Sequence, residues 1–190
     1  MSAPDSIDAP ATAARDGDVR TSEAPRDEKT VIASVVTIAK PAQELYDFWR
    51  DFSNLTKVME NIERIDVHDP IRSSWIVKAP GDRMVQWDSL VTADEPGRLI
   101  AWESVEGSEV RNSGKVEFHE VPDRGTVVRA VIAYDPPGGA IAQFFAKLFQ
   151  REPALQSRRD LRRFKQFMET GEISTSARTR AQATDLPTAA

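Results

Sequence analysis

An amphipathic helical pattern near the C-terminus limits most strongly what this chain can fold into. Between residues 160 and 172, apolar side chains recur at steps of three and four, which places on one helical stripe Leu161, Phe164, Phe167 and Met168. The other faces are basic, with Arg158, Arg159, Arg162, Arg163 and Lys165. A helix with one apolar stripe needs a surface to cover, and the preceding strand-like sequence supplies a sheet. Because a curved sheet around a helix tends to enclose an apolar cavity, the pattern predicts a container.

Length, charge and cysteine content exclude several classes of protein. A chain of 190 residues is long enough for one well-buried core and short for two. The net charge of −5 argues against a nucleic-acid-binding domain, since such domains carry a basic excess. The absence of cysteine excludes disulfides, thiolate nucleophiles and cysteine metal sites. With no long apolar run and no secretory signal pattern, the sequence predicts a cytoplasmic protein.

Composition divides the chain into a folded domain and two tails. Residues 1–28 are rich in Ala, Pro, Asp and Ser, and residues 174–190 have no periodic pattern. Neither segment can bury enough apolar surface to offset the entropy of ordering, so both are predicted to be disordered. The folded domain is expected to span residues 29–173.

The order of elements within the domain predicts an α+β fold. A β-branched strand at 30–38 precedes two short helices at 42–50 and 55–59. Six strands with short connections follow, at 62–67, 73–78, 84–92, 99–105, 114–121 and 125–134. Short connections favour an antiparallel meander, and the first strand is expected to join its edge. The prediction is a seven-stranded curved antiparallel sheet around a long C-terminal helix, with two short helices after strand 1.

Strand alternation predicts an apolar inner face with several aromatic side chains. The residues expected to line a ligand cavity are Trp75, Trp87, Trp102, Phe118, Tyr134 and Phe164. The opposite face is polar and is expected to meet water. The alternative is that these side chains fill the interior and leave no room for a ligand.

Several motifs, taken in order, resemble the START-like, or SRPBCC, superfamily. They are Trp87-Asp88, the run from Pro96 to Ser104, the run from Asn112 to Phe118, Gly125 to Val128, Tyr134 to Gly139, and Asp160 to Ile173. The similar subgroup is that of polyketide cyclase/dehydrase or coenzyme Q-binding START-domain proteins. The resemblance implies the helix-grip fold and a cavity for lipids, quinones, hormones or aromatic intermediates, with cyclisation or dehydration in some members. It transfers no catalytic signature to a numbered position of this chain.

Little in the sequence points to metal or acid–base chemistry. His68 and His119 are isolated, so no metal site and no cofactor are expected. The polar residues predicted to face inward are Ser89 and Tyr134, without a carboxylate or histidine. Since acid–base catalysis needs an inward titratable group, this set favours binding over catalysis.

A second amphipathic pattern lies just before the last helix. Phe144, Phe145, Leu148 and Phe149 follow helical spacing, and basic residues lie nearby. Such a segment could contact an anionic membrane surface, or it could cover the mouth of the cavity by packing on the sheet. Both interpretations stay open.

Two functions from different classes follow. The favoured one is the binding or transfer of a hydrophobic small molecule, namely a lipid, quinone or aromatic metabolite, with peripheral membrane contact as an option. The alternative is a polyketide cyclase/dehydrase-type enzyme acting in the same cavity. A third is a structural or regulatory partner protein that uses the basic helix face, from Arg158 to Lys165, or the two tails. No nucleic-acid partner is expected, and the sequence indicates no oligomeric state.

Overall fold

The structure, a computed structural model, describes residues 20–26, 29–79, 83–108, 110–135 and 153–173. The strands in these ranges are β1 Arg20–Arg26, β2 Lys29–Ile38, β3 Ile62–Val67, β4 Arg72–Ala79, β5 Arg83–Glu95, β6 Leu99–Ser104, β7 Arg111–Val121 and β8 Gly125–Asp135. The helices are α1 Ala42–Arg50, a 3-10 turn Phe52–Asn54, α2 Leu55–Val58 and α3 Pro153–Thr170.

The described strands form one antiparallel sheet in the order β1-β2-β8-β7-β6-β5-β4-β3. Strands β3 to β8 are a meander in which each strand pairs with the next along the chain. Strand β2 joins this meander by pairing with β8, from Thr30 opposite Tyr134 to Ile38 opposite Thr126. The predicted α+β fold, with seven antiparallel strands from β2 to β8, is therefore confirmed.

An eighth strand differs from the sequence prediction. Strand β1 lies within residues 1–28, which were predicted to be disordered. It pairs with β2 from Arg20 opposite Val35 to Arg26 opposite Lys29. A β-hairpin satisfies its backbone hydrogen bonds by pairing and needs no large apolar side chains. The prediction of disorder depended on the lack of such side chains, so it missed this strand. Pro25 is compatible with this strand because β1 lies at an edge of the sheet. The remaining domain limits stay predictions.

Helix α3 lies over the inner face of the sheet, as its apolar stripe predicts. Phe164 is fully buried, with its ring centroid 5.5 Å from that of Phe48 and 5.1 Å from that of Trp49. Polar contacts hold the helix along β2, since Lys165 Nζ donates to Thr37 O at 2.7 Å. The helix therefore contributes to the main core and closes one side of the inner face.

A bulge in β5 changes which side chains face inward. The register with β6 shifts after Val91, which places Asp94 opposite the fully buried Ile100. The Asp94 carboxylate accepts hydrogen bonds from the Tyr46 hydroxyl and from Arg50 Nε, the latter at 2.7 Å. Burial, reinforced by the bond to Asp94, raises the pKa of Tyr46 to about 12. This carboxylate contradicts the predicted inward set and attaches α1 to the end of the sheet.

The outer face is polar, as alternation predicts. Glu117 lies between Lys115 Nζ, at 2.7 Å, and Arg129 Nη1, at 2.9 Å. The bond from Lys115 is the largest cause of a lowered Glu117 pKa. Pairs of this kind are largely exposed and contribute well under about 1 kcal/mol each. These pairs are therefore solvated surface interactions.

Candidate functional site

An internal cavity of about 200 Å³ lies between α3, the two short helices and the inner face of the sheet. Most of the described wall is apolar, and it includes all four tryptophans of the chain: Trp49, Trp75, Trp87 and Trp102. The polar side chains on the wall are Asn112, Gln156, Ser157 and Asp160. A mostly apolar pocket with a few convergent polar groups is the usual form of a small-molecule site.

Two of the tryptophans make a flat aromatic surface on β4 and β5. Trp75 and Trp87 are directly opposite each other, with ring centroids 6.3 Å apart and planes inclined by 12°. Trp75 Nε1 donates to Ser73 Oγ at 2.9 Å, which satisfies its one polar atom. Stacked rings at this separation are favourable, and their faces suit a planar ligand.

The six side chains predicted to line the cavity divide into two groups. Trp75, Trp87 and Trp102 lie on the wall. Phe118 and Phe164 instead pack in the main core, with 4% and 0% of their surfaces exposed. Both point inward as alternation and helical spacing predict, but α1 covers them, which strand periodicity cannot indicate. Tyr134 lies in β8, and its side chain is outside the described part of the structure. A ligand-binding role for any of the six stays a prediction.

The second amphipathic pattern falls outside the described residues. Phe144, Phe145, Leu148 and Phe149 are not among them. Their contact with a membrane or with the mouth of the cavity therefore stays a prediction.

Asp160 is the titratable group on the cavity wall. Its Oδ1 accepts a hydrogen bond from Gln156 Nε2 at 2.9 Å. Burial raises the Asp160 pKa to about 7, against the lowering effect of this bond, of the nearby Glu60 backbone N–H and of the Arg163 charge. At neutral pH the carboxyl group is thus present in both protonation states, so it can give or take a proton. This corrects the prediction that no carboxylate faces the cavity.

The guanidinium of Arg163, close to Asp160, makes its contacts mainly with Glu60 and Val58. Arg163 Nη1 lies 3.0 Å from Glu60 Oε1, and Arg163 Nε donates to Val58 O at 3.1 Å. These contacts join α3 to the end of α2 and reduce how strongly Arg163 stabilises the ionised Asp160 carboxylate. Burial therefore dominates the Asp160 pKa.

Strand β7 brings a second polar group to the wall. Asn112, Ser113 and Gly114 have the composition of a turn, yet they lie within β7, which begins at Arg111. Strand alternation extends backward from the buried Val116 and places Asn112 and Gly114 on the inner face. Asn112 Nδ2 is buried and has no hydrogen-bond partner among the described residues.

Gly114 leaves the space that the Trp102 indole occupies. A Cβ atom at this position would lie 2.4 Å from Trp102 Cζ2 and 2.9 Å from Val131 O. The Gly114→Ala variant should therefore lose about 1–3 kcal/mol of stability and should displace the indole from the cavity wall. Chemical denaturation and tryptophan fluorescence measure the two effects. Ser113→Ala, at the exposed neighbouring position, is the control and should change neither; equal behaviour of the two variants would contradict the packing described here.

Other polar clusters fit this chemistry less well. On the outer face, His68 Nε2 lies 2.7 Å from Ser74 Oγ, but the Ser74 hydroxyl donates to Asp88. A serine nucleophile would instead donate its proton to the histidine, so this is not a hydrolase triad. Among the described residues no group of three or more acidic or histidine side chains is arranged for a metal ion. Every helix in these ranges is too short or too polar to span a bilayer.

Solved structures with similar folds agree with this architecture. A Deinococcus radiodurans protein, DR_A0006, is 41% identical and covers 75% of this chain and 100% of its own, with a TM-score of 0.62. The Zhui aromatase/cyclase from Streptomyces sp. R1128 is 13% identical, with coverage of 77% and 99% and a TM-score of 0.60. TTHA0849 from Thermus thermophilus is 20% identical, with coverage of 72% and 94% and a TM-score of 0.59.

The family follows from a match to the sequence itself. No curated protein matches the chain. The family model described as polyketide cyclase/dehydrase and lipid transport, however, matches residues 38–168, which is more than half of the chain. This match and the helix-grip architecture confirm the resemblance read from the motifs. The chain is a START-like (SRPBCC) protein that belongs to the polyketide cyclase/dehydrase and lipid transport family.

Proposed function

We propose that the protein binds a small hydrophobic molecule with an aromatic ring system in the cavity beneath α3. The observation that carries this proposal is the described part of the cavity wall, which is apolar except for four side chains and includes four indole rings. Removing such a wall from water favours an apolar ligand, and the stacked faces of Trp75 and Trp87 favour a planar one.

The size of the cavity favours a compact ligand. An apolar cavity of about 150 Å³ in another protein holds one benzene molecule. A cavity of about 200 Å³ suits one substituted ring or two fused rings. A quinone or lipid would place its ring or one chain segment there and would extend beyond the described wall. An aromatic metabolite therefore fits better than a whole lipid.

A second candidate function is an acid–base step on the bound molecule, of the cyclase or dehydrase type. Asp160 favours it, because burial holds its pKa at about 7, near the value that an acid or base needs at neutral pH. The Zhui aromatase/cyclase shares the fold at 13% identity, which supports the architecture rather than the reaction. Binding is the function common to both candidates. A cytoplasmic location and peripheral membrane contact also remain proposals.

Filling the cavity should weaken ligand binding. Ile132 lies on the wall, so Ile132→Trp should place the larger side chain in the ligand's volume. We expect 1-tetralone, a neutral two-ring ketone, to bind this variant about 10- to 100-fold more weakly than the parent protein. Isothermal titration calorimetry gives the dissociation constants.

The neighbouring position supplies the matched control. Val131 alternates to the other side of β8, so Val131→Trp adds the same bulk away from the cavity. It should leave the 1-tetralone affinity within about twofold, a difference well below 1 kcal/mol. Equal loss in both variants would show a general effect on the fold, and equal retention would place the ligand elsewhere.

A further inference from the structure

We infer that Asn112 selects the ligand, and that this ligand is a neutral ring compound whose carbonyl or equivalent oxygen accepts a hydrogen bond from Asn112 Nδ2. This inference rests on the proposed binding function and extends it to the chemical class of the ligand. It makes Asn112 a binding residue, separate from any proton transfer at Asp160.

The starting point is a buried hydrogen-bond donor of Asn112 that has no acceptor among the described residues. Asn112 Nδ2 is buried with no partner among the described residues, and its side chain borders the cavity. A buried amide N–H without an acceptor costs about 1–3 kcal/mol, so native proteins rarely leave one unless something binds to it. The backbone N–H of Asn112 is already bonded to Ser104 Oγ at 3.1 Å. The strand is therefore fixed at this position, and the Asn112 side chain borders the ligand space.

The rest of the wall indicates that the ligand is uncharged. The described wall contains no Lys, Arg or His, and its one charged group is the carboxyl of Asp160. An anionic ligand would meet no cation there and would lose its hydration, which is unfavourable in an apolar site. A neutral carbonyl oxygen satisfies the Asn112 amide without that loss.

Asp160 adds a second polar point on the same wall. In its protonated form it can donate to a second ligand oxygen, and in its ionised form it can accept from a ligand hydroxyl. A ring compound with two oxygen substituents could therefore be held at both points and lie against the tryptophans between them. A single substitution at Asn112 tests the contact with the ketone oxygen separately from the contact at Asp160.

The test compares two probes of the same shape, 1-tetralone and its parent hydrocarbon tetralin. Asn112→Leu keeps the branched shape and the number of heavy atoms of the side chain and removes the amide. We measure the dissociation constants of both probes by calorimetry for the parent protein, for this variant and for Ser113→Ala, an exposed neighbour. If Asn112→Leu does not fold, Asn112→Val, which suits a strand, replaces it.

The ratio of tetralin to tetralone dissociation constants should fall by about tenfold in Asn112→Leu and stay unchanged in Ser113→Ala. An unchanged ratio in Asn112→Leu, with both probes still bound, would overturn the role of Asn112 and leave the binding function intact. Failure of both probes to bind the parent protein would overturn the binding function, and the inference with it.

Discussion

Replacing Phe164 by alanine is expected to destabilise the fold by about 3–5 kcal/mol. Phe164 is fully buried where α3 meets α1, in contact with Phe48 and Trp49. The side chain is surrounded by other rigid rings, so the site cannot collapse to fill the space that the deletion leaves. The loss should therefore reach the upper part of the range measured for buried aromatic residues.

Guanidinium denaturation monitored by circular dichroism measures this effect. Arg162→Ala, at an exposed position on the same helix, is the control and should change stability by less than about 0.5 kcal/mol. A loss below about 1 kcal/mol for Phe164→Ala would mean that α3 does not pack on the sheet as described. The cavity would then lack its cover.

Replacing Asp160 by asparagine should change how stability depends on pH. Burial raises the folded-state pKa of Asp160 from its ordinary value of 3.8 to about 7. Below about pH 4 both the folded and the unfolded chains carry the proton. Between pH 4 and 7 the unfolded chain releases it while the folded protein keeps it, so the stability of the parent protein falls as pH rises. Asparagine does not titrate, and its Oδ1 can still accept from Gln156 Nε2.

The stability of Asp160→Asn relative to the parent protein should therefore rise by about 2–4 kcal/mol between pH 4 and pH 8. Urea denaturation at several pH values measures the difference in unfolding free energy between the two proteins. The contributions of other titrating groups cancel in this difference if their pKa values do not depend on residue 160. Glu60 and Arg163 face Asp160, so their mutual pair must be preserved for this cancellation. Asp123→Asn, on an exposed turn, is the control for losing a surface carboxylate. Parallel curves for the parent and Asp160→Asn would contradict the buried position of this carboxyl group.

The architecture could be read from the sequence because its signals are local and repeated. Helix α1 and strand β3 have the predicted bounds, Ala42–Arg50 and Ile62–Val67, since turns and periodicity mark both ends. The apolar stripe of α3 likewise predicts its buried face. The β1 hairpin carried no such signal, because its stabilisation comes from backbone pairing along β2.

The polar groups Asp160 and Asn112 on the cavity wall were not predicted from the sequence. The inward polar set was taken from strand alternation, which does not consider helix residues. Asp160 lies on α3, which begins at Pro153, one turn before Phe164 and on the same side. Asn112 looked like part of a turn, although alternation counted back from Val116 would have placed it inward. Outside the cavity, the inward side of the sheet on which Asp94 lies depends on the bulge after Val91, which no periodicity predicts.

These polar groups change the balance between the two functions. An apolar container without a titratable group would favour binding alone. The carboxyl of Asp160 gives the same cavity a group suited to proton transfer, so a binding protein and a cyclase or dehydrase would share one wall. Binding of a ring compound is the step that both functions require.

The indole signals of the protein test that step most directly. All four tryptophans border the cavity, so each indole N–H in a ¹H–¹⁵N spectrum reports on its interior. Titration with 1-tetralone should shift these signals and saturate at one molecule per chain. Unchanged indole signals up to the solubility limit of the probe would contradict the binding of a small ring compound in this cavity.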